Sequence, residues 1–474
     1  GGVGLAYLVV LSIRRSAPAF LPRLGEVALS PVVLGFTASA AVFTAVLFGL
    51  VPALRLTRIE AGEALRSGSR GNAMDGRSRV WRLLVGTEVA LALVLLVGSG
   101  LLVRSFRALL EEDLGFQAAD VEVMPVYLSN GKYPEPDDHR RFYDDLLRRV
   151  ASIPGVGAVG FLGSVPLQGG LPNGRLELDG DLDKQAIGGY VVASGGAFEA
   201  LDIPVLQGRV FDERDGPDDE MVAVVSQSFA DEFWPGEDAV GKSVNGGGMD
   251  NFYSVRGETF ARVIGVVGDI RHRDVGREPY PTVYFPYTQR PFRIQYSANL
   301  VVEAAAGDPA ALVPALRDAI QAADPDVPVR LNSLAEAVRT SVGERRFLMF
   351  VMGGFSVLAL VLATVGIFGV VSYSVGRRTR EIGIRVALGA APESVRGMVI
   401  RAAMNMVVGG LLVGVVAALA LTRAMRSLLY AISPTDPVAL VGAVLALSAA
   451  ALLASWLPAR ASTRVDPMVT MRAE

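Results

Sequence analysis

Residues Gly236 to Ser243 read GEDAVGKS, which satisfies the phosphate-loop spacing G-x-x-x-x-G-K-[ST] letter for letter. In a working loop of that kind, backbone N–H groups and the start of a helix converge on the phosphates. A buried strand must therefore come before the loop and a helix after it. Here the flanks run the other way: Phe229 to Trp234 has the pattern of a helix, and Val244 to Gly248 is VNGGG, which cannot open a stable one. The expectation is a structural turn, with Lys242 a surface charge. The remaining polar inventory is poorer still as chemistry. Cysteine is absent, so there is neither a disulfide framework nor a thiolate site. The two histidines, His139 and His272, lack metal-ligand spacing, and His272, inside the charged run Asp269 to Asp274, is expected to be a solvated loop residue. Acidic groups such as Asp144-Asp145 and Asp218-Asp219-Glu220 are expected to be solvated faces, and Asp212 to Glu220 lacks the ligand order of a calcium loop. No catalytic residue, metal site or cofactor is expected, and no ATP hydrolysis by this chain alone.

The elements that would hold any site are dominated by membrane spans. Of 474 residues 51% are hydrophobic and the mean hydropathy is +0.40, too apolar for an ordinary soluble protein of this length. Charge is strongly segregated. Residues 104–346 hold 38 acids against 24 Lys and Arg, a balance of −14, whereas the remainder holds 10 acids against 21 Arg, a balance of +11. Short cytoplasmic loops carry an excess of Lys and Arg and large translocated domains escape that bias, so 104–346 is expected outside the cytoplasm.

In chain order, Gly1 to Ile13 is read as the remnant of a membrane helix in a fragment whose earlier part is missing. Val27 to Leu54 is a charge-free run, followed by seven arginines between Arg55 and Arg82, which marks a cytoplasmic loop. Leu83 to Val103 is a span with one acid, Glu88. That acid lies about 8 Å in from Leu83 at helical rise, shallow enough to reach the interface, which favours a structural role over a functional one. Within 104–346, Asp137 to Ser152, Asp308 to Ala323 and Ser333 to Val342 have helical patterns. Val222 to Val225, Val263 to Val267, Val283 to Phe285 and Leu300 to Val302 read as strands, in a domain expected to form two subdomains. Phe347 to Gly376, Ala402 to Thr422 and Pro437 to Ala459 are the last spans. The external loop Arg423 to Asp436 lies between the final two, and Arg460, Arg464 and Arg472 put the C-terminus in the cytoplasm.

The stretch Arg377 to Ala390, RRTREIGIRVALGA, follows thirty residues without a charge. Glu381 and Arg385 stand four apart in the favoured order, and Ile382/Val386 and Ile384/Leu388 repeat at the same spacing. These predict a short helix with apolar residues to offer a partner. Gly389 then loosens the chain, and Pro392 suits the first turn of a helix that re-enters the membrane. On the residues alone, a basic surface helix that only anchors topology is the other reading. A span ending in RTREIGIRVALGA resembles the cytoplasmic coupling region of FtsX/MacB-type ABC transporter permeases. So do three blocks, Tyr190 to Asp215, Val222 to Val244 and Arg262 to Tyr287, which resemble the family's periplasmic core domain. An internal repeat adds to this. At a constant offset of 406, Pro31 matches Pro437, Pro52-Ala53 matches Pro458-Ala459, Arg58 matches Arg464 and Arg66 matches Arg472, as in the duplicated, acidobacterial-type (ADOP-like) permeases.

The resemblance implies a fold class: an α-helical multi-pass membrane protein of FtsX-like four-helix modules with an inserted α+β extracytoplasmic MacB-like core domain. The expected domains are the end of a first module at 1–66, a cytoplasmic linker at 67–82, a span at 83–103 and the periplasmic domain at 104–346. A second module follows at 347–474, with spans at about 347–376, 402–422 and 437–459. The resemblance further implies that Arg380, Glu381, Ile382, Gly383, Arg385, Leu388 and Gly389 couple to a separate cytoplasmic ABC ATPase subunit. The other implied partners are membrane lipid and an outer-membrane or periplasmic protein, with no nucleic acid, and the location is the bacterial inner membrane. The implied activity is efflux or release of a peptide, antibiotic or lipoprotein. The absence of proline predicts one continuous helix from Leu334 through Gly376, which would carry motion into the external domain. Two alternatives stay open: an FtsX-like regulator of an external cell-wall hydrolase, and an ATP-independent membrane scaffold or receptor.

Overall fold

The computed structural model describes residues 72–129, 131–168, 170–247, 250, 260–290, 298–330, 332–377, 382, 384, 385, 388 and 390–462, with short pieces at 4, 30–39, 41–43 and 46. Most of the expected first module and its half of the repeat lie outside these residues; a short apolar helix, Pro31–Phe43, stands there. The chain divides into two compact units, Glu111–Val342 and the remainder.

Helix α1 (Asn72–Leu110) opens the described membrane unit. Its buried residues Val85, Val89, Ala92, Leu93, Val97 and Leu101 recur at three- and four-residue steps, giving one apolar face to pack on. The helix runs on past Val103 to Leu110, with Arg104 and Arg107 in its outer turns.

The inserted unit is one eleven-stranded sheet. It is built from β1 (Val121–Val126), β2 (Val156–Leu162), β3 (Asn173–Leu178), β4 (Asp181–Ala193), β5 (Val205–Gly208), β6 (Val222–Ser226), β7 (Ser243–Asn245), β8 (Ala261–Val267), β9 (Thr282–Pro286), β10 (Ala298–Ala304) and β11 (Asn332–Ser333). The order β11-β1-β10-β2-β4-β3-β7-β8-β6-β9 continues into a β4–β9 pairing, which closes six strands into a ring and leaves β2, β10, β1 and β11 as an open wing; β5 pairs β8. Helices α2 (Pro136–Ala151), α3 (Gly195–Ala200), α4 (Gln227–Phe233), α5 (Val313–Ala323) and α6 (Leu334–Ser341) cover it. The start of α2 shows why such segments become helices. Glu135 and Asp138 form a reciprocal capping box, Pro136 takes the first turn, and Arg148 and Arg149 face the negative end of the helix dipole.

This differs from the expected two subdomains. The two cores lie on the two faces of a single sheet: Met124, Val225, Phe285 and Leu300 point into one, and Val123, Val224, Tyr284 and Val301 into the other. Side chains alternate faces along a strand, so a sheet covered on both sides reads as unbroken apolar runs, and such runs carry no sign of where one subdomain would end.

The chain returns to the membrane unit with α7 (Gly343–Arg377), α8 (Pro392–Leu421) and α9 (Pro437–Ser462). Among the described residues four segments are long and apolar enough to span a bilayer: Leu83–Leu110, Arg345–Arg377, Pro392–Leu421 and Pro437–Ala461. The expected continuous helix from Leu334 through Gly376 is two helices instead. Val342 is a turn residue that caps α6 with φ −94° and ψ −2°, and Gly343 opens α7. A glycine lowers the helical preference at that point, which the absence of proline alone did not reveal.

Candidate coupling site

Helix α1 is the one the others pack against: 56% of its most apolar window is buried, against 22% for α7 and for α8. The contacts alternate in direction, as a bundle of spans requires. Ser356 of α7 donates to the Leu95 carbonyl at 2.8 Å, and Gly366 of α7 faces Glu88 so closely that a Cβ there would collide with its carboxylate. Glu88, expected to reach toward the interface, is thus half-buried against α7. On α8, Gly410 sits 2.8 Å by its ideal Cβ from the Gly86 carbonyl, and Gly414 sits 3.0 Å from the Ala90 Cα, the close backbone approach that small residues permit between spans.

At the outer rim, Asp436 caps α9 by accepting from the Ala439 N–H at 2.9 Å, and Arg104 pairs with the same carboxylate. Burial pushes this carboxyl up, but the Ala439 N–H and Arg104 outweigh it and hold the group below the usual carboxylate range. The Tyr430 N–H donates to the Ser105 hydroxyl at 2.8 Å, so the loop from Arg423 to Asp436 is fastened to α1 at two points. The Asp436-Pro437 pair was the available sequence signal, a helix N-cap followed by a first-turn proline.

At the opposite end, α7 closes on Arg377, whose guanidinium lies 5.9 Å from the centre of the Tyr373 ring, and Arg460 of α9 lies 5.5 Å from that of Trp456. Beyond α7, Ile382, Ile384 and Arg385 are helical. The Leu388 N–H donates to the Ile384 carbonyl at 3.0 Å, and the Ala390 N–H to that of Arg385 at 2.9 Å, the six-residue closure with which helices commonly end. Of the residues implied to couple, Arg380, Glu381, Gly383 and Gly389 lie outside the described residues. The other three differ sharply. Ile382 is 2% exposed, Leu388 is 83% exposed, and the Arg385 Nη1 lies 2.8 Å from Met398 Sδ on α8. With Ile384 at 49%, the face presented outward is Ile384/Leu388, while Ile382 fastens the helix to its own chain. The expectation that Ile382 and Leu388 are offered together is therefore corrected. Periodicity shows which residues share a face, and packing decides which face is covered.

The remaining sequence candidates are not drawn into this site. Around Gly236 to Ser243, α4 precedes the segment and strand β7 follows, so among the described residues no helix opens directly after it, and Lys242 pairs with Glu237. His272 is not solvated. It is 2% exposed with Nε2 3.3 Å from the Tyr284 hydroxyl, and burial, helped by Arg273, lowers its pKa to about 3. His139 is likewise buried, with Nε2 2.9 Å from the Tyr133 carbonyl. Among the described residues no group of three or more His, Asp or Glu is arranged to hold a metal.

Two family models match the chain: the MacB-like periplasmic core domain over residues 89–323 and the FtsX-like permease C-terminal domain over residues 353–467. The macrolide export ATP-binding/permease protein MacB of Marinobacter nauticus is 29% identical over 276 residues, covering 57% of this chain and 41% of that protein. The pyoverdine export ATP-binding/permease protein PvdT of Pseudomonas savastanoi pv. phaseolicola is 25% identical over 440 residues, covering 88% of this chain and 62% of that one. The chain thus spans less than two thirds of the length of either relative. Among solved structures, the periplasmic region of MacB from Actinobacillus actinomycetemcomitans aligns at a TM-score of 0.34 and 15% identity, over 49% of this chain and 97% of that one.

Proposed function

This chain belongs to the FtsX/MacB-type ABC permeases, and we propose that within them it converts ATP hydrolysis by a cytoplasmic ABC ATPase into movement of its external domain. The observation that carries the reading is Leu388, a large apolar side chain 83% exposed in the turn that its N–H closes onto Ile384, eleven residues beyond the basic end of α7. An exposed leucine beside arginines, on an element anchored from behind by Ile382, is a surface suited to a protein partner. Closure of the ATPase on Ile384 and Leu388 would push this helix. The push would pass to α7 and α8, which flank it in the chain and pack on α1. Few charges line the spans, so motion rather than an aqueous pore is the expected output.

The ATPase function is assigned to the partner and not to Gly236–Ser243, because that segment lies between a helix and a strand in the reverse of the order phosphate binding requires. For cargo, we propose a substrate already outside the inner membrane, such as a peptide, an antibiotic or a lipoprotein. The relatives' names specify macrolide and pyoverdine export for those proteins.

The test is co-purification. Leu388→Asp in the full-length protein is expected to abolish recovery of an ABC ATPase after mild detergent extraction while leaving protein yield unchanged. Ile382→Asp is expected to lower the yield itself, because it buries a charge. Undiminished ATPase recovery with Leu388→Asp would refute the assignment.

A further inference from the structure

Glu88 is the one charged residue between Leu83 and Val103, and it lies deeper in the bundle than its distance from Leu83 suggests. Its carboxylate rests against Gly366 of α7: a Cβ built on that glycine would collide with Oε2 and stand 3.1 Å from Cδ. Gly366 comes eleven residues before Arg377 and twenty after Arg346, the nearest charges on α7. At helical rise those intervals are about 16 Å and about 30 Å. A glutamate side chain is too short to bridge either, so the carboxyl sits inside a hydrocarbon core about 30 Å thick.

The helices packed on α1 bring this carboxyl no counter-charge. On α7 no Asp, Glu, Lys, Arg or His occurs from Phe347 to Gly376, and Tyr373, the one ionisable side chain there, is exposed and seven residues beyond Gly366. On α8, which meets Gly86 through Gly410, the nearest charge is Arg401, exposed and nine residues earlier. On α9 none occurs from Pro437 to Ala459, and Arg460 lies beside the Trp456 ring. On α1 itself the nearest is Arg82, six positions earlier, outside the three- or four-residue spacing at which helix side chains meet. Among the described residues nothing hydrogen-bonds to the Glu88 carboxyl or pairs with it. The hydroxyls of Thr87 and Thr364, closest in sequence to the contact, donate to Leu83 and Leu360 on their own helices.

An ionised carboxylate without a partner in hydrocarbon carries a cost that taking up a proton removes. We propose that Glu88 is a proton-binding site of the membrane bundle. The carboxyl holds its proton while it rests on Gly366. Releasing that proton to water draws the charged side chain away from α7 and loosens the contact between α1 and α7. Glycine at 366 suits this role, because it leaves room for a carboxyl beside the α7 backbone. The site makes packing of the bundle depend on proton supply, and it does not rest on the coupling proposed for Leu388.

The test is infrared difference spectroscopy of the full-length protein in phosphatidylcholine nanodiscs, wild type minus Glu88→Gln, at about pH 7.5. The difference should contain the carbonyl stretch of a protonated carboxyl, because the other acids cancel. A carboxylate band in its place would overturn the site. Raising the pH to about 9.5 should remove the band and lower the melting temperature of the wild type relative to Glu88→Gln, which keeps a neutral side chain of the same shape. Loss of the band with no relative change in melting would overturn the link to packing. Should Glu88→Gln fail to assemble, dicyclohexylcarbodiimide, which attacks carboxyls that hold a proton in apolar surroundings, serves on the wild type. Mass spectrometry should find its adduct on Glu88 at pH 7.5 and little at pH 9.5, and equal labelling or none at both would refute the proposal.

Discussion

Leu388 and Ile382 lie six residues apart beyond α7, yet one is exposed and the other buried, and the proposed function rests on that difference. The sequence made both visible as apolar residues at helical spacing. It could not say which was covered, because the covering groups come from elsewhere in the chain. His272 went astray for a related reason. Its charged neighbours suggested water all around, but the imidazole is buried beside the Tyr284 hydroxyl, and of the two flanking arginines Arg273 is exposed while Arg271 pairs with Glu112. Burial has a measurable consequence here. The pKa of His272 is depressed to about 3 in the fold against an ordinary 6.5, so the unfolded chain takes up a proton that the folded chain refuses. The stability it contributes is complete above pH 6.5 and is lost as pH falls toward 3. Thermal melting of the full chain between pH 7 and pH 4 should show this decline, and His272→Gln should flatten it. An identical slope in the variant would mean that other groups govern the acid response.

At the scale of elements, the strands and spans were the most legible part of the chain. Val222 to Val225 and Val263 to Val267 are unbroken runs of apolar residues because the sheet is covered on both faces, and each forms a strand within a residue or two of the expected limits. Three spans were equally plain from the absence of charge. Junctions were less so. The separation of α6 from α7 turns on a single residue, Val342, and the only sequence sign of it is the adjoining Gly343. Which spans pack tightest was also hidden, since glycines occur on several helices and only some face a neighbour. Gly414 approaches the Ala90 backbone, whereas Gly409, on the same helix, has nothing within 4 Å of its ideal Cβ. Gly414→Leu should therefore destabilise the bundle by about 1–3 kcal/mol through overpacking, seen as a lower melting temperature in detergent. Gly409→Leu should be close to neutral. Equal effects would contradict the close α8–α1 approach.

At the scale of the whole molecule, the segregation of −14 in residues 104–346 from +11 elsewhere marks the same partition that the fold makes at Glu111 and Val342. A basic membrane unit and an acidic inserted domain suit a multi-pass membrane protein whose insert lies outside the cytoplasm. The most direct test of that account starts from the absence of cysteine in this sequence, since Leu388→Cys introduces the one thiol among these residues at the most exposed of the described coupling positions. In membranes carrying the full-length protein, a thiol-to-amine cross-linker should join position 388 to a cytoplasmic ABC ATPase, with a yield that changes on adding ATP; Ile382→Cys should give no adduct. An accessible thiol at 388 that joins no ATPase, with or without ATP, would contradict the coupling mechanism and leave the chain as a membrane scaffold.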